Sequence, residues 1–254
     1  MENSKLLKNK VPKIIVVMPA YYAEKTVAMT FKEMPQGLIS ETILVDDGSR
    51  DNTVDAAKRL GITVFRLPHN IGPGGNHKIC FWEALKRDPD VVVLLHPDYQ
   101  YDGSKIKGLI DPILNGDYDI MFGSRIKNRR GAISGGMPKS KYYLNRLFTL
   151  AANIVLGENL SEYMSGFRAY SKKTLQTVPF QRFSDDFVQD MEFLFAALFR
   201  NLRIGEIPIP TRYHEKASMI GGWRGMKFYL ESCLFLLLYL LARSKIYVHP
   251  IYKE

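Results

Sequence analysis

"ETILVDDGSRDNT", residues 41–53, decides the fold. An aliphatic, β-branched run stops at two carboxylates, a glycine and a cluster of capping residues. Such a run, bounded by turn residues, reads as a buried strand. Ser49, Asp51, Asn52 and Thr53 are residue types that close turns and cap helices, so a helix follows over 53–60 and stops at Gly61. The two acids need a further reason. Adjacent carboxylates repel, and a fold keeps both only where donors or a cation face them. An Asx turn with a helix cap accounts for Ser49 to Thr53, but not for Asp46 beside Asp47. Ribose hydroxyls and base N–H groups of a nucleoside would be suitable donors.

The same strand–turn–helix unit recurs on both sides. "KIIVVMPAY" (13–21) reads as a strand, followed by a helix over 24–34 that Pro35 and Gly37 end. "ITVFRLP" is a strand, "NIGPGG" a turn, and 76–87 a helix. "DVVVLLHPD" (90–98) and "YDIMFGSR" are further strands, with a helix over 104–114 between them. Strands alternating with helices of this length predict an α/β fold with a mainly parallel sheet. Such sheets place their chemistry at the carboxyl ends of strands. "PAYYAE", "DDGS", "NIGPGG", "HPD" and "GSR" all fall there.

The second half differs. A helix is expected over 138–156, carrying the uncharged run "LFTLAANIVLG". "SEYMSGFRAYSKKTL" reads as loop, strand and short helix. "SDDFVQDMEFLFAALFR" reads as a helix capped by Ser184. The prolines of "RIGEIPIPTRY" suit an edge strand, and a last helix covers roughly 225–243.

The net charge is +9, and its position matters. From Ile120 to Gly157 there is no Asp or Glu, while Arg125, Lys127, Arg129, Arg130, Lys139, Lys141 and Arg146 are interleaved with apolar residues. A one-sign segment calls for an anionic partner: phosphate, nucleic acid or an acidic membrane surface. The last helix holds "SCLFLLLYLLA" (232–242) between Arg224, Lys227, Arg243 and Lys245. That run is short of the roughly 20 residues a bilayer span needs. A core helix, a subunit contact and a helix lying in the membrane interface are the alternatives, and two apolar runs beside the basic segment favour the last. Cys80 and Cys233 form no CxxC pair and read as reduced thiols of a cytosolic protein. "MENSKLLKNKVPK" has no apolar signal-peptide region. "GPGGNHK" lacks P-loop spacing, and no GxGxxG follows the first strand. No nucleic-acid motif is present, and nucleic acid is not an expected partner.

"VVMPAYYAEKTV", "ILVDDGSRDNT", "HNIGPGGNHK", "DYQYD", "FGSR", "SGFRAYS" and "EIPIPTRYHEKAS" occur in that order. The ordered set resembles the inverting family-two glycosyltransferases of the GT-A fold, most nearly the dolichyl-phosphate mannose synthase-like branch, over residues 13–220. The resemblance implies a GT-A (Rossmann-like) sheet flanked by helices, with C-terminal amphipathic or interfacial helices. It implies one domain over 1–254: a nucleotide-sugar half at 13–125, an acceptor half at 126–220 and an apolar helix in 221–254. The implied reaction is metal-dependent, inverting transfer of a sugar from a UDP- or GDP-sugar to a polyprenyl (dolichyl or undecaprenyl) phosphate. It would occur at the cytoplasmic face of a membrane, with the protein held peripherally and a homo-oligomer left open.

By this resemblance Pro19, Tyr21, Glu24, Asp46 and Asp47 would hold the nucleoside, with Asn70, Gly72 and Lys78 beneath it. Where the family carries Asp-x-Asp-x-Gln for a divalent metal, Mg or Mn, this chain reads His96, Asp98 and Gln100. A diphosphate and waters supply most oxygens around Mg²⁺, so Asp98 with Gln100 suffices. A neutral imidazole at 96 would weaken Mg²⁺ relative to Mn²⁺. Alternatively, His96 only hydrogen-bonds a phosphate or ribose oxygen. Asp190 aligns with the acid beginning the helix that faces the sugar. A hydroxyl acceptor would need it as general base, and the acidic stretch 184–192 favours that alternative. A phosphate acceptor needs cations instead. Arg125, the basic residues of 127–141, Lys139 among them, and Arg168 are the candidates, Arg212 or Lys216 could neutralise the leaving group, and Asp98, Asp190 and Arg125 are the expected catalytic set.

Overall fold

The structure is a computed structural model that describes residues 11–127, 129–212 and 222–253. Its strands are β1 (Ile14–Ala20), β2 (Glu41–Asp46), β3 (Thr63–Arg66), β4 (Val91–Leu94), β5 (Ile120–Ser124), β6 (Arg168–Ser171) and β7 (Ile204–Pro208). Its α-helices are α1 (Val27–Glu33), α2 (Thr53–Arg59), α3 (Pro73–Leu85), α4 (Ile106–Leu114), α5 (Arg129–Ser134), α6 (Lys139–Leu156), α7 (Lys172–Thr177), α8 (Gln189–Phe199) and α9 (Gly222–Arg243).

The strands form one seven-stranded sheet in the order β3-β2-β1-β4-β6-β5-β7. Alternation along β1 shows why both faces are covered. Ile15 and Val17 join a cluster with Phe81 of α3, Phe148 of α6, Phe193 of α8 and Phe228 of α9. Ile14, Val16 and Met18 join the opposite cluster with α1, α2 and α4. Successive strand residues point to opposite faces, so a strand buried on both reads as an unbroken apolar run. This is the GT-A architecture expected. β7 lies at a sheet edge, as its prolines suggested.

The sheet is mainly parallel, as expected, with one reversed strand, and one helix start differs from expectation. β6 runs antiparallel to both β4 and β5 and lies between them. The helix expected from Ser184 begins at Gln189. Ser184 caps no helix, because residues 184–186 form a loop whose Asp185 carbonyl accepts the amides of Gly74 (2.8 Å) and Gly75 (3.3 Å) at the start of α3. A Cβ on Gly74 would lie 2.4 Å from the Ser184 carbonyl oxygen, so this glycine permits the close approach.

Candidate active site

Two connected cavities lie at the carboxyl ends of the strands. The outer one, about 660 Å³, falls in the size range of small-ligand clefts. Pro19, Tyr21, Tyr22, Asp47, Asn70 and Gly72 line it. The inner one is lined by Gln100, Arg125, Lys141, Asn145 and Asp190, with Phe228 and Tyr229 of α9. Pro73, His77, His96, Asp98, Asp186 and Phe187 face both.

On the outer side, Asp47 Oδ1 accepts the Ile71 amide at 2.8 Å and Oδ2 the Gly72 amide at 3.2 Å. Burial pushes its carboxyl above the usual range, against those two amides. Asp46 is fully buried, accepts the Ser49 amide at 3.1 Å and faces Arg66 Nε at 3.9 Å. The donors that let both acids coexist therefore come largely from the protein. Three residues expected at the nucleoside lie outside the walls of both cavities: Asp46, Glu24 and Lys78. Glu24 accepts Asn52 Nδ2 at 3.0 Å and ties two loops together. Lys78 Nζ reaches the Phe183 carbonyl (2.5 Å) and Asp185 Oδ1 (2.7 Å), which fastens the 183–185 loop to α3. Hydrogen bonds and ion pairs to residues distant in sequence, invisible locally, claim these groups.

At the end of β4, His96, Asp98 and Gln100 share one wall of the inner cavity. Asp98 Oδ1 accepts the Gln100 amide at 3.1 Å. Gly166 makes room for His96: a Cβ there would sit 3.0 Å from its Nε2. Among the described residues, no three His, Cys, Asp or Glu side chains form a closed metal cage. The carboxylate, amide and imidazole on that wall fit a cation whose remaining ligands come from a diphosphate and water. The loop is braced from outside. Tyr99, at φ +60°, donates its amide to Thr30 Oγ1 at 3.0 Å. Arg212 stacks 4.3 Å over the Tyr99 ring and forks onto Glu33 at 2.8 and 2.9 Å. Its amide donates to the Gln100 carbonyl at 3.0 Å. Arg212, expected at the diphosphate, thus clamps this loop, and Lys216 lies outside the described residues.

The inner cavity corrects further expectations. Arg168, expected to meet phosphate, is fully buried. It donates to the carbonyls of Ser165 (2.7 Å), Asp190 (2.8 Å) and Tyr163 (3.0 Å), with Nη1 3.6 Å from Asp190 Oδ1. It holds Asp190, which faces the cavity at the start of α8. Lys139 is exposed and off the cavity walls. Arg125 lines the cavity but is already paired: Glu162, itself fully buried, accepts Nη2 at 2.6 Å and the Arg125 amide. Lys127 pairs with Glu206 at 3.4 Å. The acid-free segment therefore finds part of its counter-charge in acids beyond it.

Lys141, one of the 127–141 basic residues expected at a phosphate, lies on the cavity wall, and several other wall residues were not singled out from sequence. Lys141 and Asn145 of α6 face the cavity, and burial lowers the lysine's pKa. His77 is buried, with Nδ1 2.9 Å from Gln189 Oε1, and burial holds its pKa down at about 4. Arg224, Gly225, Phe228 and Tyr229 bring α9 to the site, where Lys227 pairs with Asp186 at 2.7 Å. Only the Arg224–Lys227 charges before the apolar run hinted at this.

Glu192 points away from the cavities and accepts the Ser184 amide at 2.7 Å. Burial raises its pKa from 4.5 to about 7. A raised folded-state pKa adds stability that is full below pH 4.5 and lost as pH rises through about 7. Stability measured by urea unfolding should therefore fall over that window, by on the order of 3 kcal/mol. Glu192→Gln should flatten the slope. An unchanged slope would assign it to another group.

α6 and α9 flank the inner cavity and leave large apolar side chains outside. Tyr143, Leu147, Leu150 and Ile154 are exposed on α6, and Trp223, Met226, Leu230 and Leu237 on α9. α9 has 22 residues and is long and apolar enough to cross a membrane by length and composition. It packs on the protein through Phe228, Ser232, Leu236, Tyr239 and Ala242.

The profile of Glycosyl transferase family 2 matches residues 15–178. The chain is 28% identical over 250 residues to the UDP-N-acetylglucosamine–dolichyl-phosphate N-acetylglucosaminyltransferase of Methanococcus voltae, covering 92% of this chain and 97% of that one. It is 27% identical over 225 residues to the undecaprenyl-phosphate mannosyltransferase of Micrococcus luteus, covering 83% and 88%. In fold it is similar to glucosyl-3-phosphoglycerate synthase of Mycobacterium tuberculosis, solved with Mn²⁺, UDP and glucosyl-3-phosphoglycerate. That match has a TM-score of 0.65 at 20% identity and covers 91% of this chain and 80% of that one. With the family profile spanning most of the sheet, the chain belongs to glycosyl transferase family 2 and is a glycosyltransferase.

Proposed function

We propose that the protein transfers a sugar, with inversion, from a nucleoside diphosphate sugar to a polyprenyl phosphate at a membrane surface. One observation carries this reading: a cavity with Arg125 and Lys141 in its walls lies between two helices whose outer faces are apolar. That juxtaposition suits an acceptor with an anionic head and a hydrocarbon tail. The relatives named for dolichyl and undecaprenyl phosphate support it.

The nucleoside would lie in the outer cavity, against Pro19, Tyr21 and Asp47, and the sugar at the shared wall. An acceptor phosphate oxygen attacks the anomeric carbon from the inner cavity. The new C–O bond forms as the bond to the diphosphate breaks, and the nucleoside diphosphate leaves with that electron pair. The phosphate is already an anion, so no proton need be removed. Lys141 offsets the repulsion between two anions, and Arg125, held by Glu162, adds N–H donors in the same wall. Asp190, steadied by Arg168, orients the sugar. Asp98, with Gln100 and His96 beside it, would hold a divalent cation, which neutralises charge on the departing diphosphate. The apolar faces of α6 and α9 would lie against the cytoplasmic leaflet.

A second reading rests on Asp190, which faces the inner cavity and can accept a proton from a hydroxyl acceptor. A radiolabelled transfer assay decides between them. UDP- and GDP-sugars, with Mg²⁺ or Mn²⁺, are offered polyprenyl phosphate in vesicles. Label in the lipid phosphate is expected. Transfer only to hydroxyl-bearing lipids or glycans would favour the second reading, and no transfer from any donor would sink the first.

A further inference from the structure

We infer that His77 reads the transferred sugar, with its Nε2 accepting a hydrogen bond from a donor group on the sugar ring. The inference rests on the glycosyl-donor reading above. A sugar in transit must touch both cavities: it is attached to the diphosphate in the outer one and attacked from the inner one. His77 is among the few residues that face both.

The tautomer follows from its neighbours. Nδ1 faces two acceptors, Gln189 Oε1 at 2.9 Å and Asp190 Oδ1 at 3.8 Å. Neither can donate from those oxygens, so the ring proton belongs on Nδ1 and Nε2 keeps a bare lone pair. Nε2 is buried and, among the described residues, has no hydrogen-bond partner. A buried acceptor without a partner costs stability, and folds rarely keep one without a use. The lone pair is also held in place. The ring packs edge-on to His96, with centroids 5.3 Å apart, and lies against Phe81 at 6.3 Å. Gln189 fixes its other nitrogen from the start of α8, with Asp190 Oδ1 3.8 Å away. α3, which carries His77, is itself pinned by the Asp185 carbonyl on Gly74 and Gly75. The ring is held in place, and a donor group on the sugar reaches the covered Nε2 as the side chains over it move aside, always at the same place. The ring therefore selects sugars with a hydroxyl or amide N–H at the matching carbon.

A divalent cation is the rival occupant for a bare imidazole nitrogen, so the test separates the two. Wild type and His77→Phe are titrated with a nucleoside diphosphate and with the corresponding nucleoside diphosphate sugars. The variant should lose about tenfold in affinity for the sugar nucleotide, while its affinity for the free nucleoside diphosphate stays within about twofold. An equal loss for both ligands, or for neither, overturns the inference. The second measurement uses wild type alone, with ¹⁵N-labelled histidine, and serves if the variant fails to fold. The protein has five histidines. The buried, unprotonated nitrogen of His77 should move upfield with the sugar nucleotide and stay in place with the nucleoside diphosphate or with Mg²⁺ alone. Movement with Mg²⁺ alone assigns Nε2 to the metal and overturns the sugar role. Binding of a sugar nucleotide without movement overturns the His77 assignment only. Failure of wild type to bind any nucleoside diphosphate sugar overturns the donor reading, and this inference with it.

Discussion

Asp98→Ala should remove the metal-dependent rise in melting temperature that UDP or GDP gives, and lower turnover at least ~100-fold. The argument begins with charge. On the wall shared by the two cavities the acids are Asp98 and Asp186. Asp186 is already paired with Lys227, which holds its carboxyl below the usual range. His96 and Gln100 bring no negative charge. Without Asp98, a cation and a diphosphate would meet a wall of neutral groups. The loop itself should survive, because Thr30, Arg212 and Glu33 brace it independently of the Asp98 side chain. Melting without ligand should fall only by the lost Asp98–Gln100 hydrogen bond, worth about 1 kcal/mol, and the metal-dependent rise should be absent. A shift that persists in the variant would place the cation elsewhere.

Glu162→Ala should cost about 3–5 kcal/mol of stability, measured by urea unfolding. Glu162 is fully buried and receives the Arg125 amide, the Arg125 guanidinium at 2.6 Å and Asn145 Nδ2 at 3.3 Å. Removing it leaves a buried guanidinium facing Lys141 with its main counter-charge gone. Removing both members of such a pair is often near neutral, so Glu162→Leu with Arg125→Met should recover most of the loss. Recovery would separate the cost of an uncompensated charge from that of a cavity. A loss below about 1 kcal/mol in the single variant would mean that solvent reaches the pair.

Local pattern carried the strands and most helix positions, because strands buried on both faces read as unbroken apolar runs between turn residues and amphipathic helices follow a period of 3.6. Asp47 and Asp98 stand out locally because each follows a buried strand, whereas Gly72 and Asp190 were expected on these walls only through the family resemblance. Long-range charge pairing was not legible. Arg212 and Glu33 lie 179 residues apart, and Lys78 and Asp185 lie 107 apart. Nothing local distinguishes such cations from ones waiting for a phosphate. Arg168 shows the same limit: an arginine within an apolar stretch signals a buried partner, but not whether that partner is a ligand or three carbonyl oxygens. The glycines of "NIGPGG" were visible, while the loop they admit, 110 residues further on, was not. The C-terminal helix was read for its oily side, and its short polar start proved to be part of the site.

The reversed strand β6 has a consequence for how the chain can be divided. Residues 13–125 supply β1 to β5, and the sequence suggests they form a nucleotide-binding half. Yet β5 never touches β4, because β6, contributed by residues 168–171, lies between them. Until that later segment arrives, β4 presents an unpaired edge and β5 has no sheet to join. The excursion through α5 and α6 is thus a long loop that must close before the sheet is continuous, which makes the contacts across β4–β6–β5 late and non-local in folding. A fragment ending near residue 125 would expose a valine-rich edge to other chains, and the separable-looking nucleotide half would be an aggregation hazard in isolation.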